Sequence, residues 1–296
     1  MKVIKPVTVT SAMLVSTTAV ETVAAWNAGT AYVVTDKALR TTTQRIYQRL
    51  IAGTTATVPE LDTVNWVDIG PANKWAMFDG EISTPTSAAT TLTVVVKPGL
   101  CNSIALFGLE GSSISITVRD ALAGAIVYTK TQTLDGTILG DWYQYFFEPS
   151  VQLAEMVWAD LPPYGDAHIT VTITSGGTAK CGAMLVGTVY ELGETLGSPT
   201  ASIVDYSKKD TDAFGVTTFV KRAYSKRVGA KFMLPNPQLN KVQRVLADLR
   251  ATPCAWIGAD TPGFEPLTLY GFYRDFSIDV AYPDLSFCSL EIEGLT

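Results

Sequence analysis

The sequence predicts a mainly β chain: a small aromatic β module, a central β-sandwich, and a C-terminal β-sandwich with one flanking α-helix. Three observations predict this. Strand-length segments such as 91–97 (TLTVVVK), 113–119 (SISITVR) and 169–174 (ITVTIT) alternate apolar and polar residues or run apolar. Turn-forming pairs punctuate them, Pro98-Gly99, Asp135-Gly136 and Gly176-Gly177 among them. Only one stretch, 234–258, carries a long helical period.

Residues 1–21 read as a strand and a connection. Two lysines precede apolar residues there, as in a secretory leader, but Pro6 and repeated Thr and Ser interrupt any apolar core. Residues 22–74 form a small unit in which Trp26, Tyr32, Tyr47 and Trp66 are separated by short strand-like pieces. A unit of this size builds no deep aliphatic core, so aromatics do its packing. Exposed, the same four rings are candidate glycan-stacking residues, with Trp26 and Tyr47 foremost, because a ring face stacks on the apolar face of a sugar. Enclosed, they are the core of a spacer.

Residues 75–195 read as a β-sandwich with strands at 91–97, 113–119, 125–130 and 169–174. The run DWYQYFFEP, 141–149, is so dense in rings that a strand there carries aromatics on both faces and is either central or covered by another subunit. Residues 193–199 (GETLGSP) read as a linker into a last domain, 196–296. That domain shows strands around 202–206, 216–223, 226–233, 255–257, 268–273, 276–281 and 287–292. Its helix is predicted over 237–251, about 22 Å long. Asn236 is placed to cap it and Pro237 to occupy its first position. Val242, Val245, Leu246 and Leu249 form its buried stripe, and Thr252-Pro253 stops it.

Composition narrows the function. Charged residues are only 17% and the net charge is −6, which fits β surfaces covered by partners and opposes general binding to nucleic acid. No run reaches the roughly 18 to 20 apolar residues of a membrane span. The basic run 221–231 follows Asp205, Asp210 and Asp212, and strand alternation divides its charges between faces; Lys221, Arg222, Lys226 and Arg227 are read as intersubunit charges. Cys101, Cys181, Cys254 and Cys288 form no CxxC pair and read as buried thiols, which points to assembly in a reducing cytoplasm.

No reaction centre emerges. Asp79, Asp120, Asp135, Asp141, Glu148, Asp160 and Asp166 populate turns; a pair of them could serve a glycosidase or hold calcium, but no spacing motif supports either. His168, the only histidine, shares a predicted strand face with Thr170, Thr172 and Thr174 and is expected to face solvent or a partner. No catalytic residue, metal site or cofactor is therefore expected.

Three partial resemblances and one overall resemblance add to this. Trp26, Tyr32, Asp36, Tyr47, Pro59, Trp66 and Gly70 follow in the order of the chitin-binding-type carbohydrate-binding modules, with Thr35 where that pattern has Gly. WAMFDG, VVVKPG, NSIALFGLEG and SISITVRD resemble the galactose-binding-like jelly rolls, which implies a jelly roll over 75–195. The element order of 196–296 resembles the tail-tube β-sandwich of distal tail and minor tail proteins. The whole chain, with MKVIKP, WAMFDG, DWYQYFFEP, LPPY, RATPCAWIG and YGFYRDFSID, resembles an uncharacterised family of bacteriophage virion proteins. That resemblance implies a non-enzymatic structural component of a tail, tail tip or neck, assembled in the host cytoplasm with other virion proteins as a cyclic homo-oligomer that closes through its C-terminal domain, 196–296, and displays the other β domains outward. A receptor-binding protein for host-surface polysaccharide is the alternative, and a polysaccharide-degrading enzyme a second.

Overall fold

A computed structural model describes residues 1–137, 140–147, 149–211, 213–259, 265–280 and 282–295. Strands take 51% of the chain and helix 10%, so the protein is mainly β. Glu148, Asp212 and Ala281, named above, lie outside the described residues.

The chain opens with β1 (Lys2–Pro6) and β2 (Leu14–Thr17). The aromatic module follows, with β3 (Ala31–Tyr32), β4 (Lys37–Arg40), β5 (Arg45–Arg49), β6 (Gly53–Thr54) and β7 (Trp66–Pro71) in two small sheets, β3-β6 and β4-β5-β7. Next come β8 (Thr86–Val96), β9 (Ser103–Phe107), β10 (Ser113–Arg119), β11 (Ile126–Thr133), a short helix α1 (Trp142–Phe147), β12 (Glu155–Trp158), β13 (His168–Cys181) and β14 (Ala183–Glu191). The last part holds β15 (Glu194–Thr195), β16 (Thr200–Asp205), β17 (Lys208–Thr211), β18 (Thr217–Val220), β19 (Tyr224–Pro235), α2 (Leu239–Asp248), β20 (Cys254–Ile257), β21 (Thr268–Asp279) and β22 (Leu285–Gly294).

The sandwich follows from period-two patterning. Ile114, Ile116 and Val118 of β10 stand opposite Ile173, Val171 and Ile169 of β13, which stand opposite Leu92, Val94 and Val96 of β8. Directly paired residues share a face, so these nine side chains form one apolar surface. It packs on Ile104 and Leu106 of β9, Met156 and Trp158 of β12, and Met184 and Val186 of β14. The sheet β11-β10-β13-β8-β2 thus lies over β12-β9-β14.

The second layer does not stop at β14. One sheet runs β12-β9-β14-β1-β20-β21-β22-β19, with β15 and β16 both on the far edge of β19. The N-terminal strand is its joint: Lys2 stands opposite Glu191 on one side and Ile257 on the other. Val3 turns into the core under α2 and Ile4 into a core on the opposite face, and both are fully buried, each contributing about 1.5–3 kcal/mol. Gly187 permits the close approach, since a Cβ there would lie 2.0 Å from the Lys5 carbonyl oxygen. Residues 193–199, expected as a linker, supply β15 to this same sheet.

The sheet is strongly curled. Phe107 on β9 and Tyr270 on β21 are four strand steps apart, about 19 Å in a flat sheet. Their rings nevertheless stack with centroids 5.3 Å apart. Both belong to the cluster with Ile4, Ala105, Leu185 and Ile257, so that face is concave. At one end the curl brings Glu155 of β12 against Lys226 of β19 as an ion pair, although seven steps separate the strands.

Helix α2 covers the other face of the C-terminal half. Val242, Leu246 and Leu249 are buried and Val245 is partly buried, against Val228, Phe232, Trp256, Leu290 and Ile292. Asn236 does not cap it. Its amide donates to the Tyr282 and Pro283 carbonyls (3.0 and 2.6 Å), and its Oδ1 accepts from Ser286, so the side chain anchors a turn instead. A 3-10 turn, Asn236–Gln238, leads into the helix, and Ala251 with φ 54° follows its end.

Two other expectations change. The strand predicted at 268–273 and the one predicted to begin at 276 are the single β21, which ends at Asp279 and is kinked by a register shift between Tyr273 and Asp275. Within 141–149, Trp142–Phe147 forms α1 rather than a strand. Asp141 Oδ1 accepts from Gln144 N (2.8 Å) and Gln144 Oε1 accepts from Gly140 N (2.6 Å), a reciprocal capping that starts a helix. Trp142 then meets Phe146, and Tyr143 meets Phe147, at the four-residue spacing of a helix face.

Candidate functional site

The four module aromatics come together, but as a core. Tyr47 is 6% and Trp66 2% exposed, packed with Ala38, while Trp26 and Tyr32 are half-buried against them. Tyr32 meets Trp66 edge-on at 4.9 Å, and its hydroxyl accepts from Asn27 N at 2.9 Å. The Arg40 guanidinium lies over Trp26 at 5.0 Å and Arg49 over Trp66 at 5.1 Å. Arg40 donates two hydrogen bonds to the Glu60 carboxylate, both 2.8 Å, which raise the Arg40 pKa and lower that of Glu60. Tyr47 and Trp66 therefore cannot offer a face to a sugar. Three short strands leave no room for aliphatic layers, so the rings turn inward.

A cleft of about 480 Å³ opens beside the module instead, within the size range of ligand sites. Trp75 and Phe78, tilted rings 5.9 Å apart, line it with Thr41, Thr43, Gln44, Arg45 and Asp79. The turn between β4 and β5 presents the hydroxyls: Gln44 sits at φ 57° and donates to the Thr41 carbonyl at 2.6 Å. Arg45 is fixed by an ion pair with Asp68, whose hydrogen bond raises the Arg45 pKa. Rings, hydroxyls and a fixed cation in one open cleft suit a polyhydroxylated ligand. In the sequence Trp75 opens the jelly-roll-like WAMFDG, and its three-residue spacing to Phe78 is the signal for this pair of rings.

The charged residues divide. Lys226 pairs with Glu155, and Arg227 with Glu293 at 3.7 Å, both within the chain. Lys221 and Arg222 are exposed. Asp79 and Asp135 hold their own turns, Asp79 accepting from Glu81 N (2.7 Å) and Thr84 and Asp135 from Thr137, while Asp160 accepts from the distant Tyr128 at 2.9 Å and Asp166 pairs with Lys97. The Thr137 hydroxyl holds the Asp135 carboxyl below its ordinary range. His168 is 6% exposed, its Nδ1 3.0 Å from the Asp166 carbonyl oxygen, so it does not face solvent. All four cysteines are free and buried, and burial pushes the Cys181 and Cys254 thiols up to about 12. Among the described residues no group of three or more His, Cys, Asp or Glu side chains could hold a metal, and no helix is long and apolar enough to cross a membrane.

Two projections stand out from the body. The first leaves the sandwich at the Asp135–Gln152 bridge and carries α1, whose Trp142 is 79% exposed with Tyr143, Tyr145, Phe146 and Phe147 also exposed. The second is the hairpin β17–β18, with every strand residue exposed and Phe219 at 77%. Monomeric soluble proteins rarely expose large contiguous apolar patches. No family model matches the chain, and no curated protein matches it.

Proposed function

We propose that this protein is a non-enzymatic structural component of a bacteriophage tail, tail tip or neck. In this reading it assembles with copies of itself into a ring, contacts other virion proteins, and displays its aromatic module and sandwich outward. The observation that carries the assembly role is the α1 projection: each ring held in water forgoes about 1.5–3 kcal/mol of burial, and burial against a partner regains it. The virion itself rests on the sequence resemblance. Mass spectrometry and antibody-labelled electron microscopy of purified particles test the reading. Detection in the tail or neck supports it; absence from particles defeats it.

The cleft of Trp75, Phe78 and Arg45 favours a second reading, recognition of host-surface polysaccharide. Replacing Trp75 with Ala is expected to abolish retention on a polysaccharide column while the far-UV circular dichroism stays unchanged. A folded Trp75→Ala chain retained like the parent rules this out.

A further inference from the structure

We infer that the two projections are the two halves of one contact between copies of this chain: the β17–β18 arm of one copy docks on the α1 loop of another. The inference rests on the assembly reading above and names its surfaces.

Their chemistry is complementary. The loop carries Asp135 and Asp141, and the sequence has no Lys or Arg between Lys130 and Lys180. The arm and its flanks carry four cations, Lys208, Lys209, Lys221 and Arg222, against three carboxylates, Asp205, Asp210 and Asp212, a net charge of +1. Lys208 is engaged by Asp210 at 3.5 Å on one face of the hairpin. Lys209 falls on the other face, directly opposite Phe219. That face therefore offers an ammonium beside an exposed ring. The loop offers exposed rings beside carboxylates. A lysine over an indole or phenol ring is attracted by its π face, and the carboxylates add to the attraction.

The two halves are not matched within one copy. Their roots lie across one cleft, Ala154 and Glu155 on the loop side and Ala223 and Tyr224 on the arm side. Trp142 and Phe219 nevertheless remain 79% and 77% exposed. Each copy thus keeps both halves available, and a second copy supplies what each lacks.

The test uses the full chain and two exposed-ring variants, Phe219→Ser in the arm and Phe146→Ser in the loop, each checked by circular dichroism. If either unfolds, Lys209→Glu or Trp142→Ser replaces it. Sedimentation velocity is expected to show self-association of the parent that weakens as salt rises, and an apparent Kd at least about tenfold higher for each variant. An equimolar mixture of the two variants is expected to associate more tightly than either alone, because each retains the half the other has lost. A monomeric parent, a variant associating like the parent, or a mixture no tighter than its components overturns the inference. The size of the parent assembly judges the ring separately. A two-copy assembly with the complementation intact would preserve this contact and defeat the ring.

Discussion

Thr35 stands where the carbohydrate-binding-module pattern has Gly, and it adopts φ 78°. A β-branched residue is rarely found there, because its Cβ crowds the neighbouring carbonyl at a cost of about 1–2 kcal/mol. The turn forms regardless, since Asp36 Oδ2 accepts from Val33 N at 2.8 Å and Thr35 N donates to the Arg49 carbonyl at 2.9 Å. Thr35→Gly is therefore expected to raise the stability of the module by about 1 kcal/mol, after allowing for the extra freedom glycine has when unfolded. Thermal and urea melts read this, and a lower midpoint contradicts it. The same module shows what residue identity leaves open. Trp26, Tyr32, Tyr47 and Trp66 were legible as one group, but whether rings face in or out depends on neighbouring strands, and Tyr47 and Trp66 face in. His168 was misread for a similar reason: its face follows from alternation, but the cover over that face does not.

Helix α2 was legible as an element because its stripe repeats over more than two turns. Leu246, 2% exposed, lies at its centre. Leu246→Asp loses about 2–5 kcal/mol of packing and buries a charge besides, enough to exhaust the stability of an ordinary domain. Limited proteolysis is expected to cut the variant throughout 196–296, whereas the exposed Arg244→Ala is expected to match the parent within about 0.5 kcal/mol. A protease-resistant Leu246→Asp chain would show that the helix does not hold this half together. By contrast, 141–149 was illegible as a helix. Six consecutive residues, five of them aromatic, satisfy both periods at once, and only the Asp141–Gln144 capping pair distinguished them. The expected cover by another subunit is placed by our inference on the outer rings of α1.

The long sheet decides how the whole molecule behaves. Five residues of β1 pair in register with β14, and three of them also with β20, so the sandwich and the α2-covered half share one continuous layer. Unfolding is therefore expected to be a single transition in calorimetry. Deleting residues 2–6 opens the facing edges of β14 and β20 and empties the places of Val3 and Ile4; the shortened chain is expected to aggregate or to melt in two steps. A single transition within a few degrees of the parent would mean that β1 is not the joint. The curl of this sheet also creates the cleft whose sides root the two projections, so the fold positions the contact surface we propose.

The sequence by itself determined the β class, the strand segments with clean alternation, the α2 stripe and the burial of the thiols, because periodicity and polarity act locally along the chain. Only the tertiary structure decided that Lys2–Pro6 joins two halves, that the sheet curls until Phe107 meets Tyr270, that Lys226 and Arg227 are spent inside the chain, and that Trp75 rather than Tyr47 lines an open cleft. Each depends on which segments distant in sequence become neighbours. Strand pairing fixes that choice through hydrogen bonds that any residue except proline can donate, and so leaves little trace in residue identity.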